Sequence, residues 1–545
     1  MAKGFRLVDR DQWFLMPPDM REWLPADHLV WFLVDAVEQL DLGEFRGRYR
    51  LGGVGREAYD PAMLLTLLIY AYAMGERSSR QIERLCGTDV AFRVVCAQDV
   101  PDHTTIARFR RAHVDLFAQV FAQVLALCAR AGMGRLGTVA IDGTKIAANA
   151  SIDANHRERW FREQAKKIAE QITAEADEVD AAQDVEFGAG VRGDELPAEL
   201  ADPKTRAERI RRCLAEIEAE QTANDAQAAA EAAKAEGHLA RLATEPVPGR
   251  VPGGVDPVEA ARARLAREVT VRKTEIAAYD AEVTAARAEG RGLPHGRRVA
   301  DPFGGKRVKK ALAALDKAMS KATTGKNDTA DTADTADTAG KTAVVRRNVT
   351  DPDSRILPTR KGWIQGYNGQ FSVSADWLIL ALMLTNNPVD TGELVPMLKR
   401  TETAAALINH ERDQQHQQPE QVGTALFDAG YCSQDNLTTP GPDRLIATGK
   451  GHQITTQATD NPASGSPPPD TSPIEAMRHR LRTPHGAALY KKRGATVEPV
   501  NGHIKDRIGL RTFSMRGLTT CLGELNLAAA VHNLRRMFTA TTNTA

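Results

Sequence analysis

Strand-type sequence occurs in two widely separated parts of this chain, and the stretch between them, from about residue 151 to 350, is helical in kind. The first run, Leu136-Gly137-Thr138-Val139-Ala140-Ile141, ends on Asp142-Gly143-Thr144-Lys145. The others fall at 363–375, 378–384, 423–427 and 444–448, with the fourth ending on Asp428-Ala429-Gly430. Any sheet built from these runs is interrupted in sequence by the helical block, so the expected fold class is α/β, a mixed sheet with a large helical insertion. Runs 363–375 and 378–384, with Asp376 at the turn, predict a hairpin. Residues 390–400 predict a helix, 461–473 a Pro/Ser-rich loop, and the pattern is helical again from 487, with a long last helix over 522–537.

The first 130 residues have a different period. Apolar residues recur at helical spacing over 29–40, 61–73 and 117–129. Ser78 is a plausible N-cap for a further helix, and Pro101-Asp102-His103-Thr104-Thr105 opens another that carries Arg108, Arg110 and Arg111. Short helices ending in a basic one suit a helix-turn-helix-like DNA-binding region, and a plain helical bundle reads the same pattern equally well. The middle block, rich in Ala, Glu, Arg and Lys, has intermittent helical periodicity over 168–179, 206–243 and 258–287, with breaks at 188–195 and 247–257. Two long antiparallel helices or a bundle are expected there, followed by a low-complexity Asp-Thr-Ala repeat over 328–339 that predicts a disordered linker. The expected organisation is therefore an N-terminal all-helical DNA-binding domain at 1–130, a catalytic domain from 131–150 and 351–545, and a helical insertion at 151–350. A chain of 545 residues exceeds the roughly 250–300 at which single cores stop growing, which agrees with several units.

The charge is balanced overall, 71 basic against 71 acidic residues, yet unevenly placed. Between Glu475 and Arg516 there are ten Lys or Arg and three acids, a local patch able to bind phosphates whatever the total. None of the six cysteines forms a Cys-x-x-Cys pair, the pattern of buried thiols in a reducing compartment. No apolar run reaches the ~20 residues of a membrane helix, and the first residues lack an apolar signal core. The expected compartment is the cytoplasm, on the nucleoid, with no membrane partner.

Asp142 and Asp428 each follow a hydrophobic strand and precede glycine, so adjacent strands would bring both carboxylates to one edge. Glu498 lies in the basic helical segment. Three carboxylates are hard oxygen donors suited to Mg²⁺ or Mn²⁺, and two such ions can activate a water or 3′-hydroxyl and stabilise the leaving oxygen of a phosphodiester. Taken singly, each acid has an ordinary reading: Asp-Gly is commonly a turn, and an acid in a basic helix is commonly an ion-pair partner. Core or helix packing accounts equally for His503, and a helix start for His103. Cys432 has no partner ligands for zinc. Trp363, Tyr367 and Phe371 read better as hairpin core than as a stacking platform for a base.

The local sequence around all three acids is more specific. Ala140-Ile141-Asp142-Gly143-Thr144-Lys145 resembles the first-aspartate motif of bacterial insertion-sequence DDE transposases, and Phe427-Asp428-Ala429-Gly430-Tyr431-Cys432-Ser433 resembles their second. Tyr490-Lys491-Lys492-Arg493, then Val497-Glu498-Pro499-Val500 and Gly502-His503-Ile504-Lys505, resembles their Tyr-Arg-Glu-Lys signature, with one more residue between Arg493 and Glu498 than its commonest form. Asp351-Pro352-Asp353-Ser354-Arg355, Thr385-Asn386-Asn387-Pro388-Val389-Asp390-Thr391 and the segment from Pro101 to Arg110 are also similar to stretches of these enzymes, most of all to the insertion-sequence family numbered 1182. The resemblance implies an RNase H-like core in which Asp142, Asp428 and Glu498 hold two Mg²⁺ or Mn²⁺ ions. It implies DNA phosphate contacts from Tyr490, Arg493 and Lys505, with Lys145, Lys491, Lys492, Arg108, Arg110 and Arg111 as further DNA-binding candidates. The implied activity is cut-and-paste transposition: binding of terminal inverted repeats in double-stranded DNA, strand cleavage, and joining to target DNA by a homodimer or larger assembly. A structure-directed nuclease without strand transfer and a catalytically inactive DNA-binding repressor are the alternatives.

Overall fold

The computed structural model describes residues 19–49, 57–165, 203–246, 254–289, 291–292, 301–324, 345–359, 362–469 and 471–542. The helical run expected at 168–179, the break at 188–195, most of that at 247–257, and the Asp-Thr-Ala repeat lie outside the described residues. Contacts divide the chain into two compact units, Met1–Asn155 with Arg347–Ala545, and His156–Arg346.

In the first unit the N-terminal helices are α1 (Leu29–Glu38), α2 (Pro61–Ala73), α3 (Ser79–Thr88), α4 (Val90–Val95), α5 (His103–Ala112) and α6 (Phe117–Arg130). Helix α2 is apolar all round and buried from Leu64 to Ala73, as such a sequence must be. Its start is fixed by Pro61 in the first turn and by the Asp60 carboxylate, which accepts from the Ala62 amide. Helix α5 begins where expected, with Asp102 accepting from the Thr105 amide at 2.8 Å. Ser78 occupies the N-cap of α3, but its hydroxyl makes no capping bond.

The sheet has six strands: β1 (Thr138–Ala147), β2 (Arg355–Thr359), β3 (Gly362–Ser374), β4 (Ile379–Thr385), β5 (Thr424–Phe427) and β6 (Asp443–Ile446). Its order is β2-β3-β1-β5-β6, and β4 also pairs with β3. Strand β3 runs antiparallel to β1, β2 and β4, and β5 runs parallel to both β1 and β6. Gly366 pairs with Ala147 and with Arg355, and Phe371 with Asp142 and with Leu382, so β1 holds one edge of β3 while β2 and β4 share the other. The run expected over 363–375 is one strand, and it pairs with the next through the turn at Asp376. Tyr367 and Phe371 are fully buried, whereas Trp363, expected in the hairpin core, is 65% exposed because it stands at the outer end of β3 opposite Pro358 of the edge strand.

Alternation along β1 assigns its two faces. Ala140 and Ile146 pack into a core with Tyr367, Phe371 and the C-terminal helices, while Val139 and Ile141 pack with Leu394, Met397 and Phe427 on the opposite face. The covering helices are α7 (Leu394–Gln414), α8 (Gly451–Asp460), α9 (Pro473–Arg482), α10 (Pro484–Gly502) and α11 (Leu518–Thr542). Helices on both faces of one mixed sheet make a three-layered α/β unit. Helix α11 is buried from Cys521 to Leu534 save for partial exposure at Leu522, and it has polar anchors. Glu524 accepts from Arg77 Nη1 (3.0 Å), Tyr72 (3.2 Å) and Ser514 Oγ (2.7 Å), and Asn533 bonds both backbone groups of Ile379 at the start of β4.

The second unit contains the helices Pro203–Thr244, Pro257–Ala288 and Lys306–Thr324. The first two form the expected antiparallel pair: Leu242 and Ala235 pack with Ala260, and Arg267 Nη1 donates to Glu245 O at 2.8 Å. Pairs such as Arg212–Glu216 and Arg241–Glu245, one turn apart, lie along the exposed surface and add only a few tenths of a kcal/mol each. Among the described residues no single helix is long and apolar enough to cross a membrane.

At the boundary of the first unit, Asn348 Nδ2 donates to Ser151 O at 2.7 Å and the Val349 amide to Ala154 O at 3.0 Å. The chain therefore leaves and re-enters this unit through segments bonded to each other.

Candidate active site

The parallel register of β1 and β5 pairs Thr138 with Thr424, Val139 with Ala425 and Ala140 with Leu426. Two residues further along both strands, Asp142 comes abreast of Asp428, on strands spaced about 4.8 Å apart. The hydrophobic run of β5 stops there, and Asp428 turns to cap a short 3₁₀ turn, accepting from the Gly430 amide at 2.9 Å. Asp142 does not end its strand as the sequence suggests. Strand β1 runs on to Ala147 because β3 continues to pair with Gly143-Thr144-Lys145, residues that read as a turn in isolation.

Alternation puts Asp142 on the face covered by α10. That helix brings Arg493 Nη1 to 3.3 Å from Asp142 Oδ2, an ion pair that falls short of a directed hydrogen bond. Tyr490 is half-buried beside the same guanidinium, which opposes the rise that burial gives its hydroxyl. Burial raises the Asp142 carboxyl to about 6, with Arg493 opposing the rise and Asp428 adding to it. Asp428 is also raised, first by burial. Two buried like charges beside one another favour a cation between them. In donor chemistry, oxygen only and partly desolvated, the pair fits a hard divalent ion.

Glu498 lies on the exposed side of α10. A Cβ on Gly494 would sit 3.3 Å from its carboxylate, which places it over the preceding turn. Among the described residues no group of three His, Cys, Asp or Glu side chains is close enough to hold a metal. The structure thus brings Asp142 and Asp428 together and leaves Glu498 outside that pair.

The basic candidates are placed variously. Lys505 is half-buried; burial and then Arg511 lower its pKa, and Asp506 and Asp142 oppose the fall. Lys491 and Lys492 are exposed on α10. Lys491 and Arg493, with Lys450, line a cavity of 930 Å³ that opens beside Asp428 between α8 and α10. Lys145 points to the other face of the sheet, where its ammonium donates to Pro388 O at 3.0 Å and stands 3.8 Å from Asp390. On α5, Arg108 and Arg111 are exposed, while Arg110 donates inward to Arg77 O at 2.8 Å. The position of α10 is held by Trp377 in the β3–β4 turn, whose Nε1 donates to Ala495 O at 3.0 Å. His503, following α10, packs against His532 with their Nδ1 atoms 2.9 Å apart, a packing role.

Four residues with no role assigned from sequence complete the surroundings: Asn368, Gln370, Asp390 and Tyr431. Asp390 accepts from Asn368 Nδ2 and Gln370 Nε2, each at 2.7 Å, and Gln370 Oε1 accepts from the Tyr431 hydroxyl. In sequence, Asp390 lies in the Asn-Pro-Val-Asp-Thr stretch and Tyr431 in the second-aspartate motif, while Asn368 and Gln370 carry no such signal. This network explains Gly143: a Cβ there would lie 2.6 Å from Gln370 Nε2 and 2.7 Å from Asp390 Oδ1. Gly143→Ala is expected to cost roughly 1–3 kcal/mol, as overpacking does, and to lower the thermal unfolding midpoint by several degrees. A midpoint within one degree of the parent would show that the network gives way freely.

Two segments match known families. Residues 18–112 match the family described as Transposase domain (DUF772), and residues 466–538 match that described as Transposase DDE domain. The first spans α1 to α5 and the second covers α9, α10 and most of α11, including Arg493 and Glu498. No curated protein and no solved structure matches the chain. One match in the N-terminal helices and one in the helices that meet Asp142 indicate a transposase.

Proposed function

We propose that this chain is an insertion-sequence DDE transposase of the branch numbered 1182, which cuts the ends of its own element and joins them to target DNA. The observation that carries the reading is the side-by-side placement of Asp142 and Asp428 by parallel β1 and β5, under a helix that matches a transposase DDE domain. Strand order β4-β3-β1-β5-β6, with the first three antiparallel and the last three parallel, supports an RNase H-like core.

Asp142 and Asp428 would hold Mg²⁺ or Mn²⁺, with Glu498 as the third carboxylate, supplied from the same helix as Arg493. The metal, when bound, lowers the pKa of an attacking water and offsets charge on the leaving oxygen. The chain's own residues bind and orient. Arg493 and Tyr490 present donors at the aspartate pair, Lys505 adds positive charge from the segment that follows, and exposed Lys491 and Lys492 extend the cationic surface along α10 toward the DNA backbone. In cleavage, water oxygen bonds to phosphorus and the 3′ oxygen leaves as a hydroxyl. In joining, that hydroxyl attacks a target phosphodiester, whose own 3′ oxygen leaves. Terminal-repeat binding falls to the N-terminal helices, with Arg108 and Arg111 as exposed contacts. Two ends require at least two chains on the DNA, in the cytoplasm.

The test is purified full-length protein with labelled duplex carrying the element's terminal repeats, Mg²⁺ or Mn²⁺, and a target plasmid. Cutting at the terminus with plasmid joining is the expected result. Cutting without joining would reduce the proposal to a nuclease, and binding without cutting to a repressor.

A further inference from the structure

Asp390 sits at the N-cap of a 3₁₀ turn, Thr391–Glu393, yet its side chain does not cap it. The carboxylate turns instead to the sheet. Its partners Asn368 and Gln370 lie on β3 directly across from Lys145 and Gly143 of β1. Lys145 faces the same oxygen. These contacts are on the face of the sheet opposite Asp142, because Gly143 and Lys145 alternate with it along β1. Asp390 therefore grips β1 from behind, one residue from Asp142.

The same segment also grips the turn that carries Asp428. Thr391 Oγ1 donates to Gly430 O at 2.9 Å, and Asn436 Nδ2 bridges Thr391 O at 2.7 Å and Tyr431 O at 2.8 Å. Asp390 Oδ2 lies 3.2 Å from where a Gly430 Cβ would be, so a side chain there would press on the Asp390 carboxylate.

Resting on the transposase reading above, we propose that Asp390 is a positioning residue: with Thr391 it staples the turn bearing Asp428 to the strand bearing Asp142 and fixes the spacing of the two aspartates. It acts through Asn368, Gln370 and Lys145 on one side and through the Gly430 carbonyl on the other. Partners one shell behind metal-binding carboxylates typically change metal affinity by about 10–100-fold when removed.

The experiment is Mn²⁺ titration of the full chain without DNA, followed by electron paramagnetic resonance, on Asp390→Ala, Thr391→Val and Asp142→Asn, with thermal midpoints measured in parallel. Thr391→Val is near-isosteric and leaves every charge in place, so it separates the staple from the field of Asp390 and serves if Asp390→Ala fails to fold. Weakening of Mn²⁺ binding by about tenfold or more in Asp390→Ala and by a smaller, measurable factor in Thr391→Val is the expected pattern. Parent-like affinity in Thr391→Val overturns the staple, whatever Asp390→Ala does. If Asp142→Asn weakens binding in that case, the catalytic reading survives without it. If the parent chain binds no Mn²⁺, the staple falls, and cutting of the labelled terminal duplex by the same protein decides the transposase reading separately.

Discussion

Asp142→Asn is expected to lower metal-dependent DNA cutting by on the order of 10³-fold or more, as loss of a residue acting in a catalytic unit does, and to leave end-binding intact. The amide keeps the shape and loses the charge that pairs with a cation beside Asp428. Stability is expected to move the other way. Burial, opposed by Arg493 and reinforced by Asp428, raises this carboxyl from an ordinary 3.8 to about 6. The folded value lies above the unfolded one, so ionisation opposes folding. The penalty is absent below about pH 4 and complete above about pH 6. A shift of roughly two units corresponds to about 3 kcal/mol at neutral pH, trimmed by solvent at a side chain that is 17% exposed. Metal-free Asp142→Asn protein should thus melt a few degrees higher than the parent at pH 7.5 and equally at pH 4. Unchanged cutting would remove Asp142 from the chemistry. A lower melting point at pH 7.5 would mean that the pairing with Arg493 outweighs burial.

Mild acid is expected to destabilise the sheet-bearing unit steeply, through two histidines. His532 stands on α11 with Nε2 2.9 Å from Trp377 O and Nδ1 2.9 Å from His503 Nδ1. Burial pushes His503 down to about 4, helped by Arg535, Arg507 and Arg536. Burial and the neighbouring His503 push His532 to about 3. Folded values below the unfolded one mean that the unfolded chain takes up protons first. Stability is whole above about pH 6.5 and falls as pH drops toward 4 and 3. Each ring contributes about 1.4 kcal/mol per pH unit, so the pair would cost on the order of 5 kcal/mol by pH 4.5. Urea unfolding at several pH values measures it. In His532→Gln the slope between pH 6.5 and 4.5 should fall to about half; an unchanged slope would assign the acid sensitivity to other groups. Because Trp377 also holds the Ala495 carbonyl, this loosening would reach the helix that carries Arg493.

Much of this was legible in the residues. Strands β4, β5 and β6 are short apolar runs bounded by turn residues, and such runs have few other readings, so sequence and structure agree to within a residue or two. Helix α2 agrees to the residue because Asp60-Pro61 fixes its start. Strand β2 escaped because Pro358 breaks its pattern, which is tolerable only on an edge, and β2 is the edge strand. The continuation of β1 through Gly143-Thr144-Lys145 escaped because those residues favour a turn until β3 is there to pair with them. The two aspartates were visible as acids after strands, since adjacency needs only strand order. Asp390 was not, because its partners come from strand residues more than 19 positions before it or from the distant Lys145. A contact of that kind has no local period.

The bonds from Asn348 to Ser151 and from Val349 to Ala154 have a bearing on how such a chain can change over time. The sheet-bearing unit closes its own gap, so the entropy of joining the two ends is met without help from whatever lies between them. Lengthening a loop whose ends are already fixed costs only about 0.6 kcal/mol per doubling. Residues 156–346 therefore occupy a position where length is nearly neutral for the aspartate-bearing strands. A tandem repeat such as Asp-Thr-Ala can gain or lose copies there through errors of replication, and selection on the sheet would scarcely register the difference.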